Sequence, residues 1–129
     1  MPAQAPNFIA KGDIGPSLFV KQSGDHGVVI CDTGDEAIGV SHEGTREAPV
    51  TGVTPLTAKE GEAIMVYTDT WTCEIIAGDT ITAGQKLKPD STGRAVPAVA
   101  TNVYSAIAKA GATVGQKCKC IVTVGRLPA

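Results

Sequence analysis

Residues 98–112, AVATNVYSAIAKAGA, decide whether this chain is wholly β or carries a helix. The stretch is rich in alanine, the best helix former, and Val103, Ile107 and Ala110 fall at helical spacing, enough for a helix of about two or three turns. The same letters also alternate. Val103, Ser105, Ile107 and Lys109 stand against Tyr104, Ala106, Ala108 and Ala110, the period-two pattern of a strand buried on one side. Both readings stay open on these residues alone.

Outward from this segment the text is β throughout. Downstream, KCKCIVTVG (117–125) sets Lys117 and Lys119 against Cys118 and Cys120 before an apolar end, and reads as a closing strand. Upstream, SLFVKQ (17–22), GVVIC (27–31) and AIGVS (37–41) are short runs rich in β-branched residues, separated by turn material in SGDHG and DTGDE. EAIMVYT (62–68) and WTCEIIA (71–77) read as two strands of a hairpin joined at Asp69 and Thr70. AGDTITAGQKLKP and DSTGRAVPA add short pieces punctuated by Gly78, Gly84 and Gly93. About ten short strands at this spacing predict an all-β domain, a small barrel or sandwich.

Two segments do not fit the strand pattern. Residues 1–13, MPAQAPNFIAKGD, have two prolines and no periodicity and read as an extended N-terminal arm, leaving 14–129 as a single β-rich domain. Residues 42–61, HEGTREAPVTGVTPLTAKEG, form a long polar stretch, and a structureless segment of that length in a small domain is usually functional or packed on a neighbour. AGDTITAGQKL and AGATVGQKC echo each other before GQK, which shared turn chemistry explains without a true repeat.

Composition narrows the function classes. The 129 residues carry a net charge of −2, which supplies none of the basic field that nucleic-acid backbones require. No apolar run reaches the roughly 18 residues of a membrane span, and the first residues lack the pattern of a signal peptide, so the chain is expected to be made and folded in a cytoplasm. Aromatic residues are only 4%, so the core must be built from Val, Ile, Ala and Leu. Cys31, Cys73, Cys118 and Cys120 lack the C-x₂₋₄-C spacing of zinc sites and read as small buried apolar residues.

The sharpest catalytic string is Asp32-Thr33-Gly34 at the end of an apolar strand, the way dimeric retropepsin-like aspartic proteases present their catalytic carboxylate. Here Asp35 and Glu36 follow, and their like charge would disturb a shared-proton dyad, so a turn is the plainer reading. His42-Glu43 opens like a zinc-protease motif, but Arg46 stands where the second histidine belongs. IIAGDTITAGQKLKPD resembles a hairpin of biotinyl and lipoyl carrier domains, yet neither Lys86 nor Lys88 has the carrier context. No catalytic, cofactor-binding or metal-binding residue is assigned, and the chain is expected not to be an enzyme.

Taken together, the order of segments resembles the small capsid cement, or decoration, proteins of tailed bacteriophages. The resemblance rests on the Pro-rich start, GDIGPSLFVKQ, AIGVSHEGTREAPVTGV, GEAIMVYTDTWTCEIIAGDTITAGQKLKPDSTGRAV and KCKCIVTVGRL. It implies a homotrimer on the outer capsid surface of the virion that bridges major capsid protein subunits and holds the shell against DNA pressure, with no cofactor, nucleic acid or membrane contact. Candidate capsid or trimer contacts are Pro2, Pro6, Phe8 and Ile9 in the arm, and His42, Arg46, Pro49 and Pro55 in the long polar segment.

Overall fold

The computed structural model describes residues 8–33, 35–42, 56–68, 70–99 and 103–126. Among them there is no helix, and the strands are β1 (Phe8–Ala10), β2 (Phe19–Gln22), β3 (Gly27–Ile30), β4 (Gly39–Ser41), β5 (Ala63–Ile64), β6 (Val66–Tyr67), β7 (Thr72–Ile76), β8 (Lys86–Pro89), β9 (Ala95–Pro97), β10 (Val103–Ala108) and β11 (Lys117–Arg126). The all-β expectation holds, and the helical alternative at 98–112 is overturned.

The reason lies in β10's neighbours. It runs between β11 and β8 in a five-stranded sheet of order β7-β11-β10-β8-β9, so both of its backbone edges are paired. Ala106 and Ala108 are buried there, and their small side chains let the sheet pack closely. Helix propensity is a weak preference that such tertiary pairing overrides.

The other sheet has order β5-β1-β3-β2-β4-β6. Its two end strands are separated in the chain only by Met65, and the His42 amide donates to the Met65 carbonyl at 3.1 Å. β5 and β6 are therefore one continuous stave, paired on one side with β1 and on the other with β4, and the sheet closes on itself as a small barrel. Closure needs a close approach at Gly39, where a Cβ would overlap the carbonyl oxygen of Tyr67. Ala10, Val20, Val28, Ile64 and Val66 fill the interior together with Ile14 and Ala58.

The second sheet lies against the outside of the barrel wall. β2 shows how: Val20 points into the barrel and Phe19 into the core between the sheets, and both are fully buried. Alternation along a strand puts the two residues on opposite faces, and burying a Phe of this kind contributes about 2 to 3 kcal/mol. Ile75, Leu87, Cys118, Cys120 and Val122 meet Phe19 and Val40 there.

Polar anchors set the relation of the sheets. The Asp90 carboxylate gathers the Thr92 amide at 2.8 Å, the Thr92 hydroxyl at 2.9 Å and the Arg94 amide at 3.0 Å, and the carbonyl of the neighbouring Gly93 receives the Phe19 amide at 2.8 Å. Between the pairs Tyr104/Gly125 and Ala106/Val122 the register shifts, so Thr123 and Val124 stand opposite Ser105 alone. This bulge accompanies an inward Ser105, whose hydroxyl oxygen accepts the Ala37 amide at 3.3 Å.

The hairpin expected between EAIMVYT and WTCEIIA is corrected. β6 pairs with β4 in the barrel and β7 with β11 in the second sheet, so the chain crosses between layers at this point. The GQK echo, in contrast, has a clear structural basis. Thr82 to Gln85 and Thr113 to Gln116 are equivalent turns, with Gly84 (φ 91°) and Gly115 (φ 85°) at the left-handed position of a type II turn. In each, the glutamine side chain accepts the threonine amide, at 2.8 Å and 3.0 Å, and an antiparallel bridge between Ile81 and Ala112 sets the turns side by side.

The outer edges of the second sheet are partly covered. Ser17's carbonyl takes the Ile76 amide of β7 at 2.9 Å, and just past β7 Ala77 forms a parallel bridge with Ala95 of β9, where the Gly78 amide donates to the Ala95 carbonyl at 2.7 Å. On β9 the Ala98 amide donates to Lys86, which turns the neighbouring Pro97 nitrogen, with no hydrogen to give, toward the open side.

Candidate interaction surface

Of the predicted contacts, Pro2, Pro6, Arg46, Pro49 and Pro55 lie outside the described residues. Phe8, Ile9 and His42 are described, and they do not behave alike. The part of segment 1–13 that bears Phe8 and Ile9 is not free of the domain: β1 is an interior strand, parallel to β3 and antiparallel to β5. Phe8 packs on the barrel core. Ile9 points the other way and is 40% exposed. Its cross-strand partners are Gly27 and Ala63, which add almost no bulk around it.

His42 is half-buried at the end of β4. Its amide is held by Met65, and its carbonyl accepts the Thr57 hydroxyl at 3.0 Å. Its ring stacks on Tyr67 at 5.6 Å between centroids, and Tyr67 in turn meets Trp71 at 5.8 Å. Such aromatic pairs contribute about 0.5 to 1.5 kcal/mol beyond the area they bury.

The β5–β6 stave joins these places. Ile64 and Val66 point into the barrel, so alternation sets Ala63, Met65 and Tyr67 on its outer side. Ile9 pairs with Ala63 at one end of that strip, and His42 sits beside Met65 toward the other. Two contacts predicted from segments far apart in the sequence thus lie on one outer face of the barrel. Tyr67 and Trp71 were missed by sequence reasoning. In a chain with so few rings, two lying four residues apart across a strand break were the available signal.

Asp32 and its neighbours form a tied turn. The Asp32 carboxylate accepts the Thr33 amide at 2.7 Å, while the Asp35 carboxylate accepts the Asp32 amide at 2.8 Å and pairs with the Lys21 ammonium at 2.7 Å. The Lys21 hydrogen bond, seconded by the Asp32 amide, holds the Asp35 carboxyl below the ordinary carboxylate range, and the same bond raises Lys21. Asp32, Thr33 and Glu36 are exposed. The hydrogen bonds to Asp32 and Asp35 close a loop between β3 and β4 at the molecular surface. Among the described residues no three His, Cys, Asp or Glu side chains gather as a metal site, and no helix is long and apolar enough to cross a membrane.

The four cysteines are buried, and no disulfide joins them. Burial, aided by the Asp35 charge, pushes the Cys31 thiol up to about 12, and burial also raises Cys118.

The architecture defined by these elements is a small closed barrel with a second antiparallel sheet packed on its wall. It is shared with a solved structure, the N base of the head fiber gp8.5 of bacteriophage phi29, with a TM-score of 0.58 at 18% sequence identity over 95% of this chain and 95% of that one. At that identity the likeness is one of fold. No protein-family model matches the chain, and no curated protein matches it.

Proposed function

We propose that the chain is a structural protein of a phage head, acting as a decoration protein that binds the outer shell as a homotrimer and bridges major capsid subunits. The observation that carries this reading is the end-to-end fold likeness to a phage head fiber base, over 95% of both chains. The segment order described above points independently to capsid decoration proteins. The work is binding, and many copies on one shell add avidity, so each contact is modest. The face of Ile9, Ala63, Met65 and His42 is the surface through which the described part of the molecule meets the shell or a neighbouring copy.

The test is to mix the purified protein with expanded heads lacking decoration and to measure copy number per head. Saturation at a fixed number of copies is expected, with a trimer mass by light scattering in solution. No binding at saturating protein would sink the decoration reading. A stable monomer that still binds would remove only the trimer.

A further inference from the structure

Cys73 on β7 and Cys120 on β11 are direct cross-strand partners, with their sulfurs 3.8 Å apart. Cys73 is 8% exposed and Cys120 fully buried. Flanking hydrogen bonds fix the kind of pair they make. The Val122 amide donates to the Trp71 carbonyl and the Ala77 amide to the Gln116 carbonyl, each at 2.8 Å. Both pairs lie an even number of residues away, so Cys73 and Cys120 occupy a hydrogen-bonded pair, whose Cα atoms stand about 5.5 Å apart. A disulfide spans about 4.4 to 6.8 Å between Cα atoms, so the Cα spacing already suits the bond, and side-chain rotation with an inward shift of the edge strand β7 by about 1 Å brings the Cβ atoms and sulfurs to bonding geometry. The other thiols are placed differently. Cys118 faces Ile75 across the strands and donates to the Ala110 carbonyl at 3.3 Å, while Cys31 lies just past β3 and reaches the core between the sheets from the barrel side.

We infer that Cys73 and Cys120 are a thiol–disulfide site, closed by exchange with a small-molecule disulfide of the glutathione class. The Cys73 thiolate, the more exposed of the two, attacks one sulfur of the reagent. The reagent's S–S bond breaks, and one small thiol leaves, taking up the proton that Cys73 gave. Cys120, losing its proton in turn, attacks the Cys73 sulfur of the mixed disulfide and expels the second small thiol. Two protein thiols are oxidised and one small disulfide is reduced to two thiols. The new bond ties the edge strand β7 to its inner neighbour and removes freedom from the unfolded chain across the span from 73 to 120.

The experiment exposes the full-length reduced protein to oxidised glutathione in two arms, once folded and once while refolding from urea, so that burial does not limit access. After acid quench, denaturation and alkylation, mass mapping is expected to find a chain lighter by two hydrogens. The Cys73 and Cys120 peptides should be linked, with Cys31 and Cys118 alkylated. The oxidised protein should show a higher urea midpoint than the reduced one, a difference lost in Cys73→Ser and Cys120→Ser. A Cys31→Ala, Cys118→Ala double variant keeps the pair and should give the same linked peptides, which serves if the serine variants do not fold. Four alkylated cysteines in both arms, a lasting glutathione adduct on either residue, or a link through Cys31 or Cys118 would overturn the proposal.

Discussion

The Ser41 hydroxyl accepts the Leu18 amide at 3.0 Å and donates to the Gly15 carbonyl at 2.8 Å, so a side chain from β4 closes the turn that leads into β2. Ser41 is fully buried. Replacing it with alanine leaves a donor and an acceptor without a partner in a largely dry place. Ser41→Ala is expected to lower stability by about 2 kcal/mol, read from urea unfolding. A loss below a few tenths would show that water replaces the hydroxyl.

Ser17, inside that same turn, is a site of strain. It holds φ at 56°, its residue is fully buried, and its hydroxyl has no hydrogen-bond partner. Glycine adopts this backbone at no steric cost and removes the orphan oxygen. Ser17→Gly is therefore expected to raise stability by about 1 kcal/mol. Ser17→Ala, which removes the oxygen and keeps the strain, should fall between the two.

Gly39→Ala tests barrel closure. The added methyl overlaps the Tyr67 carbonyl, a backbone atom held by the β4–β6 pairing. The expected loss is about 3 kcal/mol, with the β5–β6 stave released first. Amide exchange at Val66 and Tyr67 should accelerate more than exchange on β10; uniform acceleration would place the strain elsewhere.

The Lys21–Asp35 pair gives a pH signature. Asp35 is held below its ordinary value in the fold, so its contribution is present above the unfolded carboxylate value of about 3.9 and is lost as pH falls through the lower folded value. Lys21 is raised, so its share persists below about 10.4 and fades only at higher pH. Asp35→Asn should thus be less stable than the natural chain at pH 7, and the two urea midpoints should converge near pH 2. A constant gap across that range would assign the effect to the Asp32 amide contact instead.

Ile9→Arg changes an exposed outward position with small neighbours. It is expected to weaken binding to undecorated heads several-fold while leaving the urea midpoint within about 0.5 kcal/mol of the parent. Phe8→Ala, one residue earlier but packed on the barrel core, should instead destabilise the fold. Equal head binding by Ile9→Arg would move the interaction off this face.

The strands were legible where one face is buried and the other half-wet, as in KCKCIVTVG. They were ambiguous where burial is two-sided. Ser105, Ala106 and Ala108 are all buried, because a bulge in β11 opposite Ser105 changes the phase, so the period-two signal is blurred and alanine's helical preference is left to compete. Met65 defeated the local reading for another reason. A run that looks like one strand of a hairpin is one stave serving both ends of a sheet, and only pairing with residues far away in the chain reveals that. At the candidate surface, Ile9 was singled out only as part of the Pro-rich N-terminal segment, and its place on an interior strand was not legible there. Nor was its companionship with His42, since it depends on that same closure.

Barrel closure at Met65 also bears on how many molecules can be crowded together safely. Among the described residues, a sheet that meets itself leaves few unsatisfied amides and carbonyls for another molecule to extend, and the second sheet is guarded too, by the bridge between Ala77 and Ala95 of β9. There, β7 already yields its Ile76 amide to Ser17, and β9 turns the hydrogen-less nitrogen of Pro97 outward. Copies held shoulder to shoulder at high local concentration would then meet through side chains, and the backbone would not template fibres between them.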